Sequence, residues 1–226
     1  MATLNQIIFN LKNLRRAGRV SDDDSISDRQ WAFIVNYYRA KLVKQDAQKN
    51  RLISGNIVQN LGQVTLITAD KNECCEIGDC ILRIETPLPA AVDTDQYPLI
   101  TYVGLLNGTK SFQRTTYERA VYDQHAKYTG KQPKWYQLGK YIYIVNPPSK
   151  ALKYINIQGV FEQPEQAVKY RTCDCPGNNE TCYTGFDFEY PLPIDKLDTV
   201  YKMIMEAEAK FANILPQDKS NDTNDN

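Results

Sequence analysis

Residues 26–42, ISDRQWAFIVNYYRAKL, contain the clearest helix start in the sequence, and the other elements are placed relative to it. Ser27 is placed as an N-cap, and Gln30, three residues later, completes a capping box. Ile26 precedes the cap and is spaced to pack on Trp31 as a hydrophobic staple. These residues therefore predict a helix that begins just after Ser27.

This helix is predicted to continue to about Gln48, because its apolar residues keep a helical spacing: Trp31, Ile34, Val35, Tyr38 and Leu42. A first helix is predicted over residues 4–14, where one side is also apolar: Leu4, Ile7, Ile8, Leu11 and Leu14. Gly18 supplies its C-terminal stop. We therefore interpret residues 1–50 as a helical hairpin whose two apolar faces meet.

The hydrophobic pattern changes to the period of a β-strand after Ile57. Six strands are predicted, over residues 62–68, 81–85, 99–105, 135–138, 141–145 and 154–160. A short turn at Gly139 joins two of them into a β-hairpin over 134–145, and Asn107–Gly108 marks another turn. Prolines, including Pro164, end strands. Residues 171–187 are polar and rich in turn formers, which predicts a protruding loop or small hairpin.

A third long helix is predicted near the C-terminus, with Pro193 in its first turn. One face of it carries Leu197, Val200, Tyr201, Ile204, Glu208 and Phe211, and Pro216 ends it. Residues 217–226 have almost nothing to bury, so we expect them to be mobile unless a partner orders them.

These elements predict an α+β fold. A helical bundle is built from the N-terminal hairpin and the C-terminal helix, and a mainly antiparallel β module lies between them in the sequence. The predicted division is 1–50 for the hairpin, 51–189 for the β module with its cysteine-containing loop, 190–216 for the C-terminal helix packing on the N-terminal helices, and 217–226 for a flexible tail.

The composition excludes some functional classes. The 226 residues include 27 Lys and Arg against 27 Asp and Glu, so the formal net charge is zero. This balance argues against a protein that functions by binding nucleic-acid phosphates. No apolar run approaches the ~20 residues that span a bilayer, and no secretory signal is expected. The 15 tyrosines suit surfaces that become buried on assembly, and they equally suit half-buried strand positions.

Six cysteines fall into two clusters: Cys74, Cys75 and Cys80, then Cys173, Cys175 and Cys182. Their spacing matches no standard zinc knuckle, so free or partly bridged thiols, disulfides and a zinc site all remain open. The single histidine, His125, could serve a Cys–His hydrolase, but an exposed surface histidine is the simpler interpretation. No nucleophile elbow, phosphate loop or H-E-x-x-H motif is present. We therefore predict neither an enzyme nor a cofactor.

Charged runs are the candidate contact residues between copies of the chain. Basic residues after the first helix could meet an acidic run on a neighbouring copy: Arg15, Arg16 and Arg19 on one side and Asp22, Asp23 and Asp24 on the other. The simpler interpretations are compensation of a helix dipole and a solvated turn. In the tail, Asp218 and Asp222 are further candidates.

Several blocks of sequence resemble one known family. They are 3–8 (TLNQII), 25–29 (SISDR), 38–42 (YRAKL), 135–146 (WYQLGKYIYIVN), 157–164 (IQGVFEQP), 190–193 (YPLP) and 216–225 (PQDKSNDTND). The pattern resembles the structural ring proteins of crAss-like tailed bacteriophages, which are similar in role to the head–tail adaptors (tail tubular A-like proteins) of short-tailed phages. The resemblance spans residues 3–225, and the cysteine clusters fall between its blocks.

The resemblance implies a virion structural protein without catalytic activity, made in the host cytoplasm and located in the phage neck or tail. It implies a homo-oligomeric ring of about twelve copies, mounted beneath the portal and in contact with other neck or tail proteins. The ring would continue the channel through which packaged DNA passes without specific binding, and no membrane is involved. The alternative is a cysteine-rich protein-binding module, stabilised by zinc or disulfides and also without catalytic activity.

Overall fold

The computed structural model describes residues 2–15, 26–49, 54–69, 81–123, 127, 130–149, 151–170 and 185–212. The helices are α1 (Leu4–Arg15), α2 (Asp28–Gln48), α3 (Tyr117–Asp123), α4 (Pro164–Tyr170) and α5 (Ile194–Ala212). The strands are β1 (Gln59–Thr68), β2 (Ile81–Ile84), β3 (Ile100–Gly104), β4 (Gln113–Arg114), β5 (Lys134–Leu138), β6 (Tyr141–Val145) and β7 (Tyr154–Gly159).

The predicted start of α2 is confirmed. The backbone N–H of Gln30 donates to the Ser27 hydroxyl at 3.3 Å, and the Gln30 side-chain oxygen accepts from the backbone N–H of Ser27 at 2.9 Å. Trp31 is 1% exposed, and Ile26 packs against the same apolar cluster. The capping box and the apolar contact together fix where the chain enters the helix.

Helices α1, α2 and α5 share one core, as the sequence predicted. The core also includes the segment that leads into α5, and its buried members are Leu4, Ile7, Ile8, Leu11, Trp31, Ala32, Val35, Phe188, Tyr190, Leu192, Val200 and Ile204. The expectation for Leu14 was wrong, because this side chain lies at the edge of the stripe in the last turn of α1 and is exposed. Pro193 directly precedes α5, and its carbonyl accepts from the backbone N–H groups of Lys196 and Leu197.

The seven strands form one sheet in the order β3-β7-β1-β2-β6-β5-β4, in which only the β4–β5 pair is parallel. Strand β1 pairs with β7 through its first part and with β2 through its last residues. The two edges of the sheet meet where the N–H of Phe112, just before β4, donates to the Val103 carbonyl of β3 at 2.8 Å, so the sheet is curled. The curled sheet encloses the largest core, which includes Leu61, Val64, Ile84, Ile142, Ile144, Ile155, Ile157 and Phe161.

The predicted hairpin over 134–145 is confirmed, with Gly139 at a φ of 59° in its turn. Positive φ favours glycine, which has no Cβ to clash. The Asn107–Gly108 turn is present as well, with Gly108 at a φ of 71°. Across the hairpin, the rings of Tyr136 and Tyr143 stack with centroids 5.1 Å apart.

Three short elements were not predicted: α3, α4 and β4. Helix α3 packs beside β5, and α4 packs on β1. Pro164 does follow a strand, and it is also the first residue of α4, where a missing N–H leaves no hydrogen bond unmade. The α+β fold class is confirmed, with the helical bundle and the mainly antiparallel sheet as its two parts.

Candidate assembly interface

The outer side of α2 presents two large aromatic rings between two cations. Arg29, Phe33, Tyr37 and Lys41 recur every four residues, which places them along one side of the helix. Phe33 is 64% exposed and Tyr37 is 55% exposed. We call these four residues the α2 stripe. Large exposed aromatic rings and arginine are typical of surfaces that bind another macromolecule.

A groove of about 370 Å³ lies beside the α2 stripe. Phe33 and Tyr37 form part of its wall, and the segments around Asp93 and Glu162 form the opposite side. Lys44 donates to Asp95, and this hydrogen bond lowers the pKa of the Asp95 carboxyl. The groove is therefore lined by side chains of both charges. The Lys44–Asp95 contact ties the segment around Asp95 to α2.

The outer side of α5 is acidic. Asp195, Asp198, Lys202 and Glu206 are exposed and follow helical spacing along one side. Lys202 donates to Asp198 at 2.7 Å, an i,i+4 pair on the helix surface. We call these four residues the α5 stripe. It carries three carboxylates and one ammonium group.

A buried arginine joins the helical bundle to the sheet. Arg39 of α2 is 0% exposed, and its guanidinium donates to three backbone carbonyls from distant parts of the chain. The acceptors are Phe161 at 2.8 Å, Pro191 at 3.1 Å and Ile57 at 3.4 Å. Burial lowers the pKa of Arg39, while the nearby Tyr190 and Glu165 favour the charged form. One side chain thus holds three chain segments against α2.

A network of polar side chains extends from Arg39. The Arg39 guanidinium lies 5.7 Å from the centre of the Tyr190 ring, and the Tyr190 hydroxyl donates to the Asn36 side chain at 2.9 Å. The Asn36 amide in turn donates to both carboxylate oxygens of Glu165, each at 3.0 Å. Burial raises the pKa of Tyr190, so its hydroxyl keeps its proton and remains a donor. The network links α2, α4 and the segment before α5.

The interface candidates taken from the charged runs are mostly outside the described residues. Arg15 is the last residue of α1 and is exposed. The others lie outside the described residues: Arg16, Arg19, Asp22, Asp23, Asp24, Asp218 and Asp222. His125 and all six cysteines lie outside them too, so the thiol, disulfide and zinc alternatives are untested.

The described residues contain neither a candidate metal cluster nor a helix suited to cross a membrane. Within those ranges, no cluster of three or more His, Cys, Asp or Glu side chains is placed to hold a metal ion. None of the helices in the same part of the chain is long and apolar enough to cross a membrane.

Comparison with known families identifies the family of the chain. The sequence model of phage tail ring protein 2, a family of crAss-like phages, matches residues 6–226. The chain belongs to this family. The resemblance to crAss-like phage ring proteins is thereby confirmed, and this ring protein is a structural component of a phage tail. No curated protein matches its sequence.

The two stripes and the buried Arg39 contacts of this ring protein were not predicted from the sequence. The α2 stripe left a signal, since Phe33 and Tyr37 fall off the predicted apolar side of α2 while keeping a four-residue spacing with Arg29 and Lys41. The α5 stripe left a similar one in its spaced carboxylates. Arg39 left none, because its three acceptors lie 18, 122 and 152 residues away in the sequence.

Proposed function

We propose that this ring protein forms a closed ring in the head–tail connector of the phage, where it links the portal to the tail and continues the DNA channel. The observation that carries the proposal is the family match over residues 6–226, which covers nearly the whole chain. The ring contains about twelve copies of the chain, each in contact with two neighbours through different faces. The copies assemble in the host cytoplasm and remain in the virion.

The fold supports a structural role of this kind. A ring that carries load between two assemblies needs subunits whose parts keep a fixed relative position. The Arg39 contacts and the Asp46–Lys196 ion pair at 2.6 Å tie α2 to the sheet loops and to α5. Buried polar groups that are fully hydrogen-bonded favour one arrangement of the packed elements.

The charge balance supports a channel through which DNA slides. Affinity for a duplex grows with the number of phosphates that Lys and Arg neutralise, and a strongly basic ring would hold the DNA in place. The chain has 27 basic and 27 acidic residues, so the ring as a whole carries little charge. DNA therefore passes without specific binding, as the connector role requires.

Quantitative mass spectrometry of purified particles tests the proposal. The copy number of this chain is measured against the portal protein with isotope-labelled peptides as standards. A connector ring predicts about as many copies as the portal has, on the order of twelve per particle. Absence from the particle, or hundreds of copies as in a shell, would contradict the connector role.

A further inference from the structure

We propose that the α2 stripe of each subunit binds the α5 stripe of the next subunit, and that this contact closes the ring. The inference rests on the proposed function, since it names the interface of the ring. It commits to a second copy of this chain as the partner of the exposed aromatic residues on α2.

The two stripes lie on different helices, and both face away from the core of the helical bundle. On α2, Trp31 and Val35 are buried in the bundle core, and the stripe occupies the other side of the helix. On α5, Val200 and Ile204 are buried in the same core, and the acidic side faces outward. A closed ring requires such an arrangement, because each subunit must offer two different faces that point to two different neighbours.

The stripes also match in charge. The α2 stripe ends in Arg29 and Lys41, while the α5 stripe places carboxylates on either side of Lys202. Cations at the ends of one stripe can therefore meet carboxylates of the other. In the centre, the Lys202 ammonium can lie over the exposed rings of Phe33 and Tyr37, which is a favourable cation–π arrangement.

The stripes match in length as well. Arg29 and Lys41 are twelve residues apart, which is about 18 Å along a helix at 1.5 Å per residue. Asp195 and Glu206 are eleven residues apart, or about 17 Å. Two helix surfaces of equal length and opposite charge can pair along their whole extent without leaving the aromatic rings exposed.

Zero-length cross-linking of the intact particle tests the inference without any variant. A carbodiimide joins lysine amines to carboxylates that are in direct contact. We expect cross-linked peptides between Lys41 of the α2 stripe and a carboxylate of the α5 stripe. Such a link is expected between two copies, because Lys41 and the α5 stripe both lie on the solvent side of the bundle, away from the core where α2 and α5 meet. The Lys196–Asp46 ion pair is the internal control, since it forms inside each subunit.

The outcomes separate the interface from the proposed function. If the control link forms in particles that contain the chain but the α2–α5 link is absent, the interface is wrong while the ring stands. The same holds if the α2 stripe lies against DNA, because Lys41 then forms no link to a carboxylate. If the chain is absent from the particle, the proposed function and the interface fail together.

Competitive incorporation gives a second test. Host cells that express a variant chain are infected with the phage, which encodes the wild-type chain. Mass spectrometry then counts both chains in the purified particles. We expect Lys41→Glu to be under-represented by about fivefold or more, because it places like charges together. The matched control is Lys131→Glu, an exposed lysine in a turn, which should be incorporated at parity with wild type. Equal incorporation of both variants would overturn the inference.

Discussion

Replacing Arg39 with methionine should destabilise the ring protein, because it removes the buried hydrogen bonds of the Arg39 guanidinium. Methionine keeps much of the stem volume of arginine but removes the guanidinium and its donors. The carbonyls of Phe161, Pro191 and Ile57 would then be left without the donor that they have in the native protein. These carbonyls belong to three separate loops, so the loss loosens the contact between α2 and the sheet.

The magnitude follows from two opposing effects. Hydrogen bonds from a charged donor contribute roughly 1.5–3 kcal/mol each, and two of the three bonds are short enough to count fully. Against this, the variant no longer has to bury a cation, a cost that also lowers the pKa of Arg39. The hydrogen bonds outweigh the desolvation, because the guanidinium also has the Tyr190 ring and the Glu165 carboxylate nearby. We expect a net loss of about 2–4 kcal/mol in the free energy of unfolding.

Urea denaturation of the full-length chain, followed by circular dichroism, measures this loss. The matched control is Lys41→Met, which also replaces a long cationic side chain with methionine, but on the exposed side of α2; it should cost less than about 0.5 kcal/mol. A loss below about 1 kcal/mol in Arg39→Met, with an unchanged dependence on urea, would refute the reasoning. It would mean that water or a rearranged loop satisfies the three carbonyls.

Three further predictions concern the bundle and the sheet. Trp31→Ala should cost about 3–5 kcal/mol in urea denaturation, because Trp31 is buried in the bundle core. Trp31→Phe should cost far less, because the indole N–H has no hydrogen-bond partner within the described residues; equal costs would contradict this. Ser27→Ala should cost about 1 kcal/mol through loss of the α2 cap, and an unchanged melting curve would count against it. Burial raises the pKa of Tyr170 to about 12, above its value of about 10 in the unfolded chain, so its stabilising contribution is complete below about pH 10 and disappears as the pH rises to about 12. Two pKa units correspond to ~2.7 kcal/mol, and partial exposure reduces the expected change to about 1–2 kcal/mol; a Tyr170→Phe variant with the same pH dependence as wild type would show that Tyr170 is not responsible.

The strongest sequence signals were local, and the structure confirms them. The capping box at Ser27 and the hairpin turn at Gly139 each depend on residues within a few positions of one another. The three long helices also followed from spacing alone. The seven-residue helices α3 and α4 escaped because two turns are too short for a hydrophobic period to be recognised.

The features that could not be predicted depend on contacts between distant parts of the chain. Helical spacing placed Asn36, Arg39 and Asp46 outside the apolar stripe of α2, yet all three are buried. They are buried because the sheet loops and α5 cover this side of the helix and supply their hydrogen-bond partners. A sequence pattern shows which residues are polar, but it does not show which of them a distant loop will cover.

The proposed assembly surface was predictable only in part. The abundance of tyrosine suggested surfaces that become buried on assembly, and Tyr37 fits that description. Tyr136 and Tyr143 instead stack on the sheet at strand positions, which are fully buried rather than half-buried as the composition predicted. Composition gave the residue type, and only the fold separates an exposed ring from a buried one.

Cryo-electron microscopy of the purified particle tests the central claim most directly. We predict a ring of density between the portal and the tail that fits the described fold, with one copy per repeating unit and the channel continuing through its centre. A particle that contains the chain but shows this fold elsewhere, for example at the tail tip or on the shell, would contradict the connector role. A particle without any density of this fold would contradict the role in the virion altogether.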